Sequence, residues 1–263
     1  MVKGPSRKIA RYPHVHQFPD ILAYKIIGLS PEVDIGKYVL IPGDPKRVEK
    51  IASFFEDAKK VGEFREHVVY TGFIDGIRVS AISSGAGAPN AAMTIEAIAK
   101  TNATTVIRVG TSGALQPEIQ IGDLVIPTAA VRGDGVTREY VPLKFPAVAD
   151  WDVVNALLEA SKKFDIPVHS GIVWTHDALF RESEERIKFW YQAGVLSVEM
   201  ECSAVFTISH LRGLRAGAIL AIDGNLVQKQ QFKGALEGIV GKSIETEIQI
   251  ALEAIKILDK STK

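Results

Sequence analysis

Four short stretches hold residue types whose spacing could do chemistry. In "RVGTSG", Arg108 sits among apolar Val106, Ile107 and Val109, ahead of Gly110, Thr111, Ser112 and Gly113. A guanidinium in a strand bound for the core is costly unless an opposite charge meets it. Either a carboxylate elsewhere in the chain or an anionic ligand must therefore pair with Arg108. Strand alternation puts Val106, Arg108 and Gly110 on one face, at a strand's C-terminal end, where open α/β sheets bind ligands. In "PGDPKRVEK", Gly43 follows another strand and Arg47 lies one turn into a helix. A glycine turn, a helix N-terminus and an arginine together make an anion site, although the same residues also suit a capped helix with a solvated arginine.

The third stretch, "SVEMECSA", alternates Glu199 and Glu201 with Val198 and Met200 at a strand-to-helix junction. A carboxylate there can accept two hydroxyl hydrogen bonds from a sugar diol, while the methionine packs on an apolar ring face. The plainer reading is an acid favoured by the helix dipole, worth only ~0.3–1 kcal/mol. The fourth, "SSGAGAPNA", imitates a dinucleotide-binding fingerprint, but Asn90 stands where the third glycine belongs and the next strand ends without an acidic residue. A small-residue turn that admits close backbone approach fits better.

These clusters need elements to hold them. "KYVLIPGDPKRVEKIASFF" predicts strand, tight turn and helix, with Asp44 as N-cap and Pro45 at the first helical position. "HVVYTGFIDGIRVSAISS" predicts a hairpin about Asp75-Gly76, and "GAGAPNAAMTIEAIAKT" a turn feeding a helix. Further strands are expected at "GDLVIPTAAV", "HSGIVWT" and "LRAGAILAID". A helix is expected from Trp151 to Phe164, and a closing helix over 243–258 with Ile244, Ile248, Leu252 and Ile255 on one face. Strands alternating with helices, without a linker or repeat, predict a single α/β domain with a central mixed β-sheet over 28–263, preceded by an N-terminal arm over 1–27.

Composition narrows the partners. Lysine plus arginine equals aspartate plus glutamate at 31 each, so no global field recruits nucleic acid or an anionic membrane. Cys202 is the only cysteine, which excludes an intrachain disulfide and a cysteine-based zinc cluster and suits a reducing, cytoplasmic setting. The N-terminal stretch has no apolar core of a secretory signal, and no run approaches the ~20 apolar residues of a membrane span. No metal ligand set is expected.

In their order along the chain, "GDPKR", "FREH", "SSGAGAPNA", "RVGTSGALQPEIQIGDLVIPTAAVRGDG", "PLKFPAVAD", "VEMECSA" and "GLRAG" resemble the nucleoside phosphorylase-I family, and most closely its uridine phosphorylase branch. The resemblance runs from about Gly28 to the C-terminal helix. It implies a partly barrel-like sheet flanked by helices and reversible phosphorolysis of a nucleoside, with inorganic phosphate as co-substrate, no required cofactor, and room for a monovalent cation. It assigns phosphate to Gly43, Arg47, Arg108 and Thr111, with Arg65 arriving from a neighbouring subunit, and ribose to Met200 and Glu201. It also implies a homo-oligomer, a hexamer built from three dimers.

The pattern is broken in three places. Uridine phosphorylases present a Gln-x-Arg pair to uracil, whereas "HDALFRESEERIKFW" has no glutamine. A one-residue shift puts Glu184 and Arg186 there, with Phe180 as an aromatic wall and Ser112 and Gly113 completing the base site. The competing reading makes 182–186 a solvated helix face. The purine branch uses a late aspartate as an acid; Asp223 is the candidate, one residue before the expected position at Gly224. Ile26 replaces a histidine expected to reach a neighbour's ribose site, leaving His14 or His16 as substitutes. The leading expectation is a pyrimidine nucleoside phosphorylase acting on uridine. Its rivals are a purine nucleoside phosphorylase favoured by Asp223, a nucleosidase that would need no arginine cluster, and a non-catalytic nucleotide-binding module that would not need Met200-Glu201.

Overall fold

The computed structural model describes residues 24–30, 33, 35–231 and 236–261. His14 and His16, and most of the N-terminal arm, lie outside the described residues. β1 (Tyr38–Ile41) is buried at every position, as expected of a short apolar run between parallel neighbours. It pairs in parallel with β4 (Ile77–Ile82) on one side and β5 (Thr105–Ala114) on the other. β3 (His67–Ile74) joins β4 through Asp75-Gly76, both left-handed at φ 47° and 75°, which is the two-residue primed turn that Asp-Gly predicts.

Beyond β5 the sheet curls shut. β5 pairs in parallel with β10 (Arg215–Asn225), β10 antiparallel with β6 (Leu124–Gly133), and β6 in parallel with β8 (Val168–His176). β9 (Ser197–Glu199) then bridges β8 back to β5. Five strands thus form a closed ring, and β5 belongs both to it and to the open wing of β1, β4, β3 and β2 (Glu56–Phe64). Two short strands, β7 (Ala147–Val148) and β11 (Gln230–Gln231), pair with β6 and β10.

Helices cover the faces. α1 (Pro45–Ala52) is capped as predicted, the Asp44 carboxylate accepting from the Lys46 N–H at 2.9 Å. α2 (Ala88–Ile98) packs on α6 (Cys202–Arg212), while α4 (Trp151–Ser161) packs on both β10 and α7 (Leu236–Lys260). The short α3 (Thr137–Tyr140) lies against α6, and α5 (Glu184–Gln192) is carried on the rim with no buried residue. No described helix is long and apolar enough to cross a membrane.

Several expectations are adjusted by tertiary context. β2 (Glu56–Phe64) has no predicted counterpart because "EDAKKVGEF" shows no apolar alternation; it is an exposed edge strand, where charge protects against stray pairing. α7 begins seven residues earlier than expected, since Gly238 and Gly241 mask the pattern in its first turns. β5 does not end near Arg108 but continues to Ala114, so Arg108 lies inside the strand, opposite the last residue of β1.

The approach of α4 to β10 depends on Gly217, where an added Cβ would clash with the Val153 side chain. Gly217→Ala should cost about 1–3 kcal/mol through overpacking. Urea unfolding monitored by circular dichroism measures it, and an unchanged midpoint would show that α4 can shift freely.

Candidate active site

The C-terminal half of β5, the turn after β1, the β9–α6 junction and the bulged end of β10 enclose a cleft of about 1030 Å³. Its most constrained member is Arg108, only 4% exposed. Its Nε donates to Glu199 Oε2 at 3.1 Å, and its Nη2 pairs with Glu201 Oε2. Burial works against the charge, but the Glu201 and Glu199 carboxylates overcome it and push the guanidinium pKa up. Both carboxylates thus meet Arg108 from within the chain. Gly110 makes room for this arrangement: a Cβ there would stand 2.9 Å from the guanidinium carbon, which fixes the Arg-x-Gly spacing on one strand face.

Glu199 is the anchor of the junction. Its carboxylate also accepts from the Thr175 hydroxyl at 2.5 Å, from the Glu201 N–H at 2.8 Å and from the Cys202 N–H at 2.9 Å, the last two at the N-terminus of α6. Glu201 is held from the other side, where its Oε1 accepts from the Gly87 N–H at 2.5 Å. The "GAGAP" turn therefore brings its backbone close to a carboxylate of the same chain, with Gly87 left-handed at φ 88°. Burial raises the Glu201 pKa even against Arg108, and Glu199 adds to the rise. Met200, half-buried, lines the cleft beside them.

Opposite this junction, Gly43, Asp44 and Arg47 line the floor with Gly110 and Thr111. The two glycine turns are cross-linked, Ser84 N–H to Pro42 carbonyl at 2.8 Å and Gly85 N–H to Gly43 carbonyl at 3.0 Å. The Arg47 Nη1 lies 3.4 Å from both the Val109 carbonyl and Glu247 Oε1. Glu247, on α7, is fully buried, and sequence reasoning gave it no role. In sequence it shows only as an acid four residues after Ser243 and next to Ile248, on the apolar side of a helix, and that misplaced charge was the available signal.

At the other end, Asp223 explains its own offset. The β5–β10 register runs Ile222 to Ser112 and then Gly224 to Gly113, so Asp223 is the extra residue of a β-bulge. Bulges re-aim side chains beside sites, and this one turns Asp223 onto the cleft, where the Thr111 hydroxyl hydrogen-bonds to it and burial raises its pKa. Glu182, read from sequence as part of a solvated face, lines the same end; burial and the Asp223 charge push its pKa up to about 7. Ser112 is buried on the wall with no hydrogen-bond partner for its hydroxyl among the described residues, and Gly113 lies beside it.

The rim departs from the expected base pair. Phe180, in a short 3-10 turn (Leu179–Arg181), is 98% exposed at the mouth, and Glu184 faces Lys229 across it at 2.7 Å. Arg186 is not on the cleft wall: its Nη1 lies 3.2 Å from His176 Nε2, over a ring stacked on Trp174. Arg65 is also outside this chain's cleft, exposed and left-handed at φ 54° in the turn between β2 and β3, over the Phe64 ring.

This geometry coincides with a family match. The family model "Phosphorylase superfamily" covers residues 37–257. A uridine phosphorylase of Treponema pallidum is 39% identical over 243 residues, 88% of this chain and 93% of that protein. A guanosine phosphorylase of Halorubrum lacusprofundi is 37% identical over 235 residues, 88% of this chain and 97% of its own. The crystal structure of a uridine phosphorylase from Vibrio fischeri superimposes with a TM-score of 0.80 at 28% identity, covering 88% of this chain and 98% of that one. The chain belongs to the phosphorylase superfamily, as a nucleoside phosphorylase of the uridine phosphorylase-like type. It is a pentosyl-transferring enzyme.

Glu199→Ala should cost about 3–5 kcal/mol, because it leaves the Arg108 Nε, the Thr175 hydroxyl and two helix N–H groups without their buried acceptor. Guanidinium chloride unfolding gives the value; a loss below about 1 kcal/mol would mean that Glu201 alone satisfies Arg108.

Proposed function

We propose that the enzyme catalyses reversible phosphorolysis of uridine, in which phosphate attacks C1′ as the C–N bond to the base breaks, giving uracil and ribose 1-phosphate. The observation that carries this reading is the convergence of Arg47, Arg108, Thr111 and the Met200-Glu201 pair on one cleft. Guanidinium groups at the floor suit a phosphate dianion, since charge-assisted bonds are roughly twice as strong as neutral ones. Glu201, fixed by Gly87 and Arg108, has its place beside them to accept from the ribose hydroxyls. The transition state has oxocarbenium character, and phosphate held against the anomeric face supplies both proximity and opposing charge.

Arg65 reaches no part of this cleft, and we assign it to the phosphate site of a neighbouring copy, so that a two-fold dimer is the smallest complete unit and a hexamer of three dimers the assembled form. A cytoplasmic location suits the lone cysteine, Cys202, which is buried. A second reading is a purine nucleoside phosphorylase, favoured by the bulge that aims Asp223 into the cleft and by Glu182 beside it. A carboxyl group there could protonate a departing purine or accept from its N–H groups, and the guanosine phosphorylase relative points the same way.

Free-base release from uridine, thymidine, inosine, guanosine and adenosine, each with and without phosphate, decides between these. Phosphate-dependent cleavage of uridine is expected; inert uridine with cleaved guanosine or inosine would establish the purine reading, and cleavage without phosphate would overturn both. Arg65→Ala should lower kcat/KM for phosphate by about 10²-fold with the fold intact. Mixing it with an inactive Glu201→Ala subunit should restore part of the activity, and no restoration in mixed oligomers would place Arg65 outside any shared site.

A further inference from the structure

Glu247 is an expensive residue to keep. It is 0% exposed on α7, beneath the cleft floor, in a place where a leucine or glutamine would fill the same space. One of its oxygens lies 3.4 Å from Arg47 Nη1, and the other, Oε2, has no hydrogen-bond partner among the described residues. Full burial with an oxygen left unpartnered favours the neutral carboxyl group over the ionised one, because desolvation penalises the charge. The charged groups around it are few. Arg47 faces it from α1, Arg108 from β5, Asp223 from β10, and the Ala221 backbone hydrogen-bonds to it. On its own helix the nearest acid, Glu245, is turned to Lys50 of α1 at 3.6 Å.

Because Arg47 lies between this buried carboxyl group and the cleft, an ionised Glu247 offsets part of its positive charge before any anion in the cleft meets it. We propose that Glu247 is a positioning residue that governs how much of the Arg47 charge the phosphate site receives, taking up a proton when an oxyanion dianion occupies the floor. This rests on the reading of the Arg47 end as the phosphate site. With Glu247 neutral, Arg47 keeps its charge for the anion and is held by a hydrogen bond alone. With Glu247 ionised, the pair is internally neutral and the anion meets a second negative charge behind its arginine. Burial pushes the Glu247 carboxyl up to about 8, against the lowering effect of Arg47 and Arg108, so the change of state falls in a range where the enzyme can be assayed. The sign follows: a dianion beside the pair raises the pKa further, so binding takes up a proton, and affinity falls as pH rises through the value of the empty site.

Sulfate is the probe, because it carries two charges across the whole range and does not titrate as phosphate does. For the wild-type enzyme the sulfate Kd should rise roughly eightfold between pH 7.5 and 9.0, the change expected for one linked proton with a pKa of about 8 in the empty site. Calorimetry in buffers of different ionisation heat should show proton uptake that climbs from pH 7.5 and approaches one proton per site near pH 9. Glu247→Gln, a permanently neutral side chain of the same shape, should hold the Kd near its pH 7.5 value at pH 9.0 and abolish the uptake. It should also leave kcat at pH 7 close to wild type while flattening the rise of the phosphate KM in alkali. The wild-type slope persisting in Glu247→Gln would overturn the proposal. So would uptake peaking near pH 7, which would belong to Glu182; the calorimetry decides this even if the variant does not fold. If neither sulfate nor inorganic phosphate binds, the phosphate reading of the floor fails, whereas binding without a pH dependence sinks only the role of Glu247.

Discussion

Arg108 stands between Glu199 and Glu201, and most of the cleft is arranged around keeping that buried trio tolerable. Two carboxylates and one guanidinium leave a net negative charge in a place with little water. Glu199 spreads its share over two N–H groups at the start of α6 and the Thr175 hydroxyl, and Glu201 gives part of its share to the Gly87 N–H. Each partner comes from a different element: β8, α6 and the turn before α2. Losing one of these donors would leave a buried carboxylate oxygen unsatisfied, which costs more than the hydrogen bond itself contributes. The same contacts orient Glu201 with little freedom to turn.

The two ends of the cleft differ in electrical character. The floor has Arg47 and Arg108 near Thr111, and suits an anion. The far end has Asp223 and Glu182 facing one another, both with raised pKa values through burial, and suits a group that receives or surrenders a proton. A nucleoside laid between them would have its breaking bond where these two fields meet. Glu247 extends the pattern below the floor, so that ionisable carboxyl groups flank the arginines on three sides.

How far this could be read from the sequence depended on how local the cause was. The Asp44 cap, the Asp-Gly hairpin and the helix behind Asp150 are set by residues within four positions of each other, and each was legible. The Arg-x-Gly spacing was legible as a shared strand face, but its reason, a guanidinium lying across Gly110, needed the third dimension. The resemblance answers the question of Arg108 with phosphate, whereas within the chain the guanidinium is met by two carboxylates that no spacing argument pairs with it. β2 escaped because an edge strand shows no alternation. The one-residue offset at Asp223 is a bulge, which a count along the chain cannot reveal. Glu184 lies on the cleft as the shifted base pair predicts, whereas Arg186 is turned to His176, and Glu182, one of the residues of the competing solvated face, lines the cleft.

That turn and α5 have a consequence for how the enzyme can change over generations. They contribute no buried residue to the main core, and their attachment is a small satellite of aromatic and aliphatic contacts around Trp174 and Trp190. The segment meets the barrel at Leu115, Trp174 and Val198, against which Ile187 and Trp190 pack, so its outward face can be rewritten while those contacts stay. Sequence change on that outward face would reshape the mouth of the cleft, with the stability of the whole scarcely at stake.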